Sequence, residues 1–137
     1  MKASVAGVGI DAVDIARFRR LLDRRPNLTS RVFTAAERAE AAGQADPAPH
    51  LAARFAAKEA VMKALGTGIG GFAFAHVEVV REQRPGRPGG PPQVRLFDRA
   101  AMLAEDRGVA RWHVSLTHTD ALALAVVLAE AGGTGTD

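Results

Sequence analysis

The sequence predicts an α+β domain in which helices pack on a small, mainly antiparallel sheet. Strand-like and helix-like segments are interleaved along the 137 residues, and the last two strand-like segments are close enough to form an antiparallel hairpin. The chain has the length of one domain, and its 47% hydrophobic and 24% charged residues exclude a disordered or fibrous protein. We assign residues 1–130 to a single domain and expect residues 131–137 to form a disordered tail.

The first predicted strand, residues 3–11, has two different faces. Val8 and Ile10 lie on one face, and Gly9 and Asp11 lie on the other. Because glycine leaves the backbone bare, another group could approach the strand closely beside Asp11.

Local signals mark the starts of two helices. Asp14 is placed to cap the first helix, which Pro26 ends. Thr34 and Glu37 have the spacing of a capping box at the start of the second helix. The other elements follow from helical or alternating spacing. The predicted helices are 14–25, 34–43, 50–66 and 98–108, and the predicted strands are 3–11, 76–82, 93–97, 111–117 and 121–130.

The composition excludes several kinds of chemistry. With no cysteine, the chain cannot use disulfide bridges, thiolate metal sites or a cysteine nucleophile. The net charge of +3 suits acidic partners or phosphates. No apolar run approaches the ~20 residues of a membrane span, and the acidic residue at position 11 comes too early for a secretory signal. We therefore expect a cytoplasmic protein that does not bind membranes.

The helix 50–66 carries the clearest functional signal. On a helical wheel Lys58 falls in the middle of the apolar arc, while Glu59 and Lys63 lie on one shoulder and Arg54 on the other. Two interpretations are open. Either Lys58 extends to solvent and Glu59 and Lys63 form a surface ion pair, or Glu59 is a ligand of Mg²⁺ beside two cations that bind phosphate.

Asp11 could supply a second carboxylate to such a site. Magnesium commonly takes one or two protein carboxylates and completes its shell with water and substrate phosphates. A strand end beside bare glycine backbone and a helix could together provide the two carboxylates. The alternative is that Asp11 is a turn residue that ends the strand.

Two further features give weaker signals. The segment 66–71, GTGIGG, is either a flexible connector or a loop whose backbone N–H groups meet an anion, and it does not match the P-loop pattern. His113 and His118 point to opposite faces and lack other clear metal ligands, so we do not predict a zinc site. We expect His113 to pack in its strand and His118 to have a polar role.

A basic face runs along the first helix. Arg17, Arg20 and Arg24 recur at spacings of three and four residues and therefore lie side by side. The face could be merely solvated or could bind an acidic protein. RNA is disfavoured, because six Phe, one Trp and no Tyr offer few rings for stacking against bases. We expect no nucleic-acid partner.

Three separated stretches of the sequence resemble one family. VGIDAVDIARF (8–18), RFAAKEAVMKALGTGIG (54–70) and HVSLTHT (113–119) are similar to holo-[acyl-carrier-protein] synthase, the small bacterial type of 4′-phosphopantetheinyl transferase. VFTAAE (32–37) also looks like a helix start of that family. The resemblance runs from about residue 5 to about residue 130, in the right order, and implies the 4′-phosphopantetheinyl transferase fold.

The resemblance implies a reaction and a set of site residues. The family transfers phosphopantetheine from coenzyme A to a serine of an acyl carrier protein and releases adenosine 3′,5′-bisphosphate. Asp11 and Glu59 would hold Mg²⁺, and Lys63 would contact the phosphates and stabilise the leaving group, which makes these three the catalytic residues. The expected coenzyme contacts are Arg54, Lys58, Lys63, Gly66, Thr67, Gly68 and His118. The base that takes the serine proton stays open between Glu59 acting through a water and a water on the metal.

The resemblance also implies partners. An acidic carrier protein would dock on the first helix, at Arg17, Arg20, Leu21 and Arg24. The family forms homotrimers with coenzyme sites between subunits. The segment 83–92 is longer and richer in proline than the corresponding turn of the family, and Arg87 could replace the basic residue that is common there.

Two other functions would use the same residues. A Mg²⁺-dependent coenzyme A or nucleotide pyrophosphatase would have the same metal and phosphate chemistry, with water as the attacking group. A binding module without catalytic activity would use only the arginine face, for an acidic protein or RNA. The sequence does not tell which carrier protein is served, whether acyl-coenzyme A is accepted, or how fast the reaction is.

Overall fold

The computed structural model describes residues 4–68, 70–87 and 89–133. These residues form two antiparallel sheets and five α-helices, together with a 3₁₀ turn and the connecting loops. The elements in chain order are β1 (Ser4–Asp14), α1 (Ile15–Arg24), α2 (Leu28–Val32), α3 (Ala35–Ala42), α4 (Pro47–Ala64), a 3₁₀ turn (Phe74–His76), β2 (Val77–Arg81), β3 (Pro92–Leu96), α5 (Asp98–Asp106), β4 (Val109–His118) and β5 (Leu122–Ala131). The strand orders are β1-β5-β4 and β2-β3, both antiparallel. The α+β prediction is confirmed.

The sequence signals predicted most of the helices and strands correctly, but several of their ends differ from the structure. The Asp14 cap and the capping box at Thr34 both form, with the Asp14 side chain accepting a hydrogen bond from a backbone N–H of α1. Helix α4 starts at Pro47 instead of residue 50, because Asp46 caps it and accepts a hydrogen bond from the Ala48 N–H. The five-residue α2 was not predicted. Residues 134–137 of the predicted tail lie outside the described residues, and residue 131 still belongs to β5.

Helix α4 lies directly on one face of β1. Added side-chain carbons at Gly7 and Gly9 would run into the carbonyl groups of Ala64 and Ala60, so only glycine allows this approach. The group that approaches the bare face of β1 is therefore a helix of the same chain. This contact fixes the distance between the end of β1 and the second half of α4.

The opposite face of the β1-β5-β4 sheet is apolar and exposed. Val8 and Ile10 are 57% and 60% exposed, and Leu122 and Val126 are each 41% exposed. Ile10 lies directly opposite Val126 in the ladder, so these side chains form one continuous patch. A patch of this kind is typical of an interaction surface.

No helix in the described part of the chain is both long enough and apolar enough to cross a membrane.

Candidate active site

Asp11, Glu59 and Lys63 meet where the end of β1 crosses α4. The Lys63 ammonium lies 3.2 Å from the Asp11 Oδ1 and donates a hydrogen bond of 2.9 Å to the Ile10 carbonyl. Asp11 is largely buried, with 13% of its side chain exposed, whereas Lys63 is 54% exposed. The structure therefore brings together three of the predicted site residues, although Asp11 lies about 50 positions before the other two in the sequence.

The two carboxylates are close enough to influence each other. Burial and, next, the neighbouring Asp11 raise the pKa of Glu59 to about 7, although the charge of Lys63 acts in the opposite direction. The pair thus concentrates more negative charge than Lys63 alone balances. An additional cation would stabilise it.

The residues fit a magnesium ion. Among the described residues the buried Asp11 Oδ2 has no hydrogen-bond partner, so an acceptor atom is left over beside Glu59. Across the described ranges no cluster of three or more acidic or histidine side chains could hold a metal. Two carboxylates without further protein ligands match Mg²⁺, which usually keeps water and phosphate oxygens in its shell.

The predicted docking residues share a cavity with Glu59. A cavity of about 840 Å³ is lined by Glu59 of α4 and by five residues of α1, among them the predicted docking residues Arg17, Arg20, Leu21 and Arg24. Val13, Phe18, Phe55 and Leu122 form its apolar wall. Within the described residues none of the three arginines forms an ion pair, whereas Arg19 on the same helix pairs with Asp46 at 2.8 Å.

Arg54 and His118 lie in a second cavity, of about 610 Å³, that does not include Glu59. The Arg54 Nη2 lies 3.4 Å from the Glu40 Oε1, while its Nε is buried without a partner. Pro91 and Pro92 also line this cavity, and Arg87 does not. Within one chain, the two predicted coenzyme contacts are therefore separated from the carboxylate pair.

The structure places Lys58 in the core, which corrects the expectation that it faces a phosphate. Its ammonium pairs with the Glu37 Oε1 at 2.7 Å and donates to the carbonyls of Phe74, at 3.1 Å, and Val77. Both side chains of the pair are fully buried. Burial lowers the pKa of Lys58, and the Glu37 carboxylate opposes this. Neither an extension of the Lys58 side chain into solvent nor a contact with phosphate fits, because the ammonium is fully buried against the carboxylate of Glu37.

The glycine loop after α4 has a backbone that only glycine tolerates well. Gly66 and Gly68 have φ values of +73° and +66°. Thr67 donates from its hydroxyl, at 3.3 Å, and from its N–H, at 3.1 Å, to the Met62 carbonyl, which ties the loop to the last turn of α4. The three predicted coenzyme residues of this loop therefore begin three positions after Lys63 and are held against the end of α4.

His50 is a residue of the second cavity that the sequence did not indicate. Its side chain is 10% exposed, and its Nε2 lies 3.6 Å from the Glu40 Oε1. Burial and then the charge of Arg54 lower the pKa of His50 to about 4. No local pattern marks this residue, because its surroundings come from α3 and α4 together.

We expect His50 to make the protein less stable in acid. The unfolded chain takes up a proton near the ordinary value of 6.5, and the folded chain near 4, so the free energy of unfolding falls as the pH falls through this window. Allowing for solvent screening, the loss from His50 is about 1–2 kcal/mol. Urea unfolding at pH 7.5 and 4.5 should show a smaller acid loss for His50→Gln than for the wild type. Equal losses would contradict the assignment.

Comparisons with known proteins show the family to which the chain is similar. A model of the 4′-phosphopantetheinyl transferase superfamily matches residues 7–127. The chain is 49% identical to a holo-[acyl-carrier-protein] synthase of Moorella thermoacetica over 122 residues, which cover 89% of this chain and 91% of that protein. The crystal structure of the Neisseria meningitidis holo-[acyl-carrier-protein] synthase superposes with a TM-score of 0.80 at 30% identity, covering 92% and 98% of the two chains.

A third relative is a structure with a bound ligand. The Bacillus anthracis holo-(acyl-carrier-protein) synthase, solved in complex with CoA (3′,5′-ADP), gives a TM-score of 0.74 at 31% identity, with 93% of this chain and 98% of that chain covered. Sequence and structure thus agree over nearly the whole length of each relative. The chain belongs to the holo-[acyl-carrier-protein] synthase family within the 4′-phosphopantetheinyl transferase superfamily.

Proposed function

We propose that this protein transfers the 4′-phosphopantetheine group of coenzyme A to a serine hydroxyl of an apo acyl carrier protein, with Mg²⁺ and with adenosine 3′,5′-bisphosphate as the second product. The observation that carries the proposal is the cavity in which Glu59, beside Asp11, faces three arginines of α1 that form no ion pair with another described residue. A phosphate site and a surface for an acidic protein thereby open into the same space. We place the reaction in the cytoplasm.

Asp11 and Glu59 are the residues that would hold the metal. Bound there, Mg²⁺ would neutralise phosphate charge and orient the pyrophosphate for displacement. The chain itself contributes the fixed positions of the two carboxylates. The close approach of α4 to β1 at Gly9 sets those positions before any ligand binds.

Lys63 is placed to act on the phosphates. Its ammonium lies beside Asp11 and is more than half exposed, so it can reach a ligand without breaking a buried contact. A cation at this point would stabilise negative charge on the leaving group. Glu59 has a pKa of about 7, which suits a group that accepts a proton near neutral pH, although the metal would lower that value.

The coenzyme would extend from the carboxylate pair over the glycine loop. Gly66, Thr67 and Gly68 begin three positions after Lys63 and are the proposed coenzyme contacts of this loop. The N–H groups of Gly66 and Thr67 donate to the carbonyls of Lys63 and Met62, so the Gly68 N–H is the group suited to a phosphate oxygen. We propose that Arg54 and His118 contact another part of the coenzyme, from the second cavity. Lys58 supports the fold and is not among the proposed contacts.

We propose a homotrimer with coenzyme sites between subunits. The separation of Arg54 and His118 from Glu59 supports this arrangement, because a second copy could bring its second cavity to the carboxylate pair of the first. The exposed apolar patch of Val8, Ile10, Leu122 and Val126 offers a surface for such contacts. Burial of this patch would remove four large apolar side chains from water.

Intact-mass spectrometry of an apo carrier protein tests the proposed function. A gain of one phosphopantetheine mass is expected with this protein, coenzyme A and Mg²⁺. No gain is expected with EDTA or with a carrier whose acceptor serine is replaced by alanine. If coenzyme A is cleaved and no tested fatty-acid or polyketide carrier gains mass, the protein is a pyrophosphatase and the proposal fails.

We expect the arginine face to control carrier use. Arg17→Glu combined with Arg24→Glu should raise the KM for the carrier roughly tenfold or more at low salt, because opposite charges speed and orient the encounter. The affinity for coenzyme A should not change. Steady-state kinetics at two salt concentrations measure both effects.

Arg38→Glu combined with Arg107→Glu is the matched control. It makes the same change in net charge at exposed positions outside the cavity. Equal carrier KM values for the two double variants would contradict docking on α1.

A further inference from the structure

The described residues of the glycine loop after α4, namely 66–68, 70 and 71, make few contacts with the rest of the described chain. An added side-chain carbon at Gly66, Gly68 or Gly70 would meet no atom of the described residues within 4 Å, so open space lies beside each of these glycines. The contacts of Thr67 and the 3.4 Å hydrogen bond from the Gly71 N–H to the Gly68 carbonyl are local. A loop held only by its own backbone would sample several conformations, because glycine has wide conformational freedom.

One hydrogen bond joins the described part of this loop to a distant element. The Arg99 Nε donates to the Gly71 carbonyl at 2.7 Å, across 28 positions of sequence. The donor is charged and the distance is short, which is characteristic of a strong hydrogen bond. Arg99 thus closes the loop at the end opposite to Thr67.

Helix α5 gives Arg99 a rigid base. Ala100 is fully buried and Ala104 is nearly so, and both belong to the main core. The Phe97 N–H donates to the His76 carbonyl at 2.8 Å, which fixes the start of α5 on the 3₁₀ turn. Asp98, at that start, has a φ of +51°, an unfavourable backbone conformation for a residue with a side chain.

The 3₁₀ turn is in turn fastened to α4. Lys58 donates to the carbonyls of Phe74 and Val77, on either side of His76. A continuous set of contacts therefore runs from Lys58 through the turn and Arg99 to Gly71. Hydrogen bonds therefore connect both ends of the glycine loop to α4, one end directly through Thr67 and the other through Arg99 and the 3₁₀ turn. Helix α4 also carries Glu59 and Lys63.

We infer that Arg99 is a positioning residue for the coenzyme: through the Gly71 carbonyl it holds the described part of the glycine loop in the conformation in which the N–H groups of Gly68 and Gly70 meet the phosphates. This inference rests on the proposed function, since it assumes that the loop binds coenzyme A. Arg99 itself acts through the Gly71 carbonyl and has no role in carrier docking, because it does not line the cavity of α1.

Calorimetric titration of coenzyme A in the presence of Mg²⁺ tests the inference. Arg99→Ala should weaken coenzyme binding roughly threefold to tenfold, the effect of losing one hydrogen bond to a charged donor at a partly exposed site. Arg99→Lys keeps a cationic donor and should recover part of the loss. In steady-state kinetics the KM for coenzyme A should rise while the KM for the carrier changes less than about twofold.

The matched control is Arg107→Ala, which removes an exposed arginine at the other end of α5. Hydrogen exchange gives a second readout: the peptide that covers residues 66–71 should exchange faster in Arg99→Ala and at the wild-type rate in Arg107→Ala. Equal coenzyme affinities and equal loop exchange in the two variants would overturn the inference.

The two proposals fail in different ways. A wild-type protein that binds coenzyme A but modifies no carrier would overturn the proposed function and leave the Arg99 comparison intact. A wild-type protein with no affinity for coenzyme A would overturn both.

Discussion

Glu59→Gln is expected to lower the rate of phosphopantetheine transfer roughly 10²–10⁴-fold at saturating Mg²⁺ and coenzyme A. The substitution keeps the size of the side chain and removes the negative charge that the metal needs. Asp11→Asn should have a comparable effect, because the buried Oδ2 beside Glu59 loses its charge. Intact-mass measurement of carrier conversion over time gives the rates.

The loss of activity should occur without a loss of stability. Folding raises the pKa of Glu59 from 4.5 to about 7, so the protonated carboxyl group contributes stability that is fully present below pH 4.5. This contribution is lost as the pH rises through 7 and Glu59 ionises. At pH 8 without Mg²⁺, Glu59→Gln should therefore be as stable as the wild type or more stable by roughly 1 kcal/mol after allowance for screening.

Glu105→Gln is a suitable control for the carboxylate prediction. It makes the same chemical change at an exposed position on α5 and should leave the transfer rate unaltered. A Glu59→Gln variant with a rate within threefold of the control would contradict the metal assignment. An inactive variant that is also unfolded would not fit the expected stability and would count against it as well.

Lys58→Met is expected to lower the free energy of unfolding by about 3–5 kcal/mol, because removal of one member of a buried ion pair leaves the other charge unbalanced. Glu37 would remain fully buried among its hydrogen bonds to the N–H groups of Thr34 and Val79. The two carbonyl acceptors of the ammonium would also lose their donor. Urea unfolding, followed by circular dichroism, measures the loss.

Lys63→Met provides the matched comparison for stability. It is the same substitution in the same helix, at an ammonium that is more than half exposed, whereas that of Lys58 is fully buried. We expect its free energy of unfolding to stay within about 1 kcal/mol of the wild type, although its activity should fall. A loss below 1 kcal/mol for Lys58→Met would contradict a structural role for the buried pair.

Features that depend on neighbouring residues were predictable from the sequence. The caps at Asp14 and Thr34 require only the following turn of helix, and both form as predicted. The pairing of Asp11 with the α4 residues Glu59 and Lys63 was predicted as one of two interpretations. It became specific only through the resemblance to a family, because spacing alone does not place a strand end against a helix.

The tertiary structure decided which group faces which. Lys58 occupies the same apolar arc that the helical wheel gives it, yet its partner Glu37 comes from another helix and could not be found from the pattern of α4. Likewise, the bare face of β1 receives α4, and its apolar face is exposed, although alternation in a strand does not say which face is buried.

The sequence by itself determined the α+β class, the starts of α1 and α3 and the residue types of the proposed metal and phosphate site. The structure decided that Arg54 and His118 belong to a second cavity, that His50 is buried beside them, and that Arg99 holds the glycine loop. The physical reason is the range of each interaction. Caps and periodicity act within a few residues, whereas burial, ion pairs and cavities join segments that are distant in the chain and depend on how the helices and sheets pack.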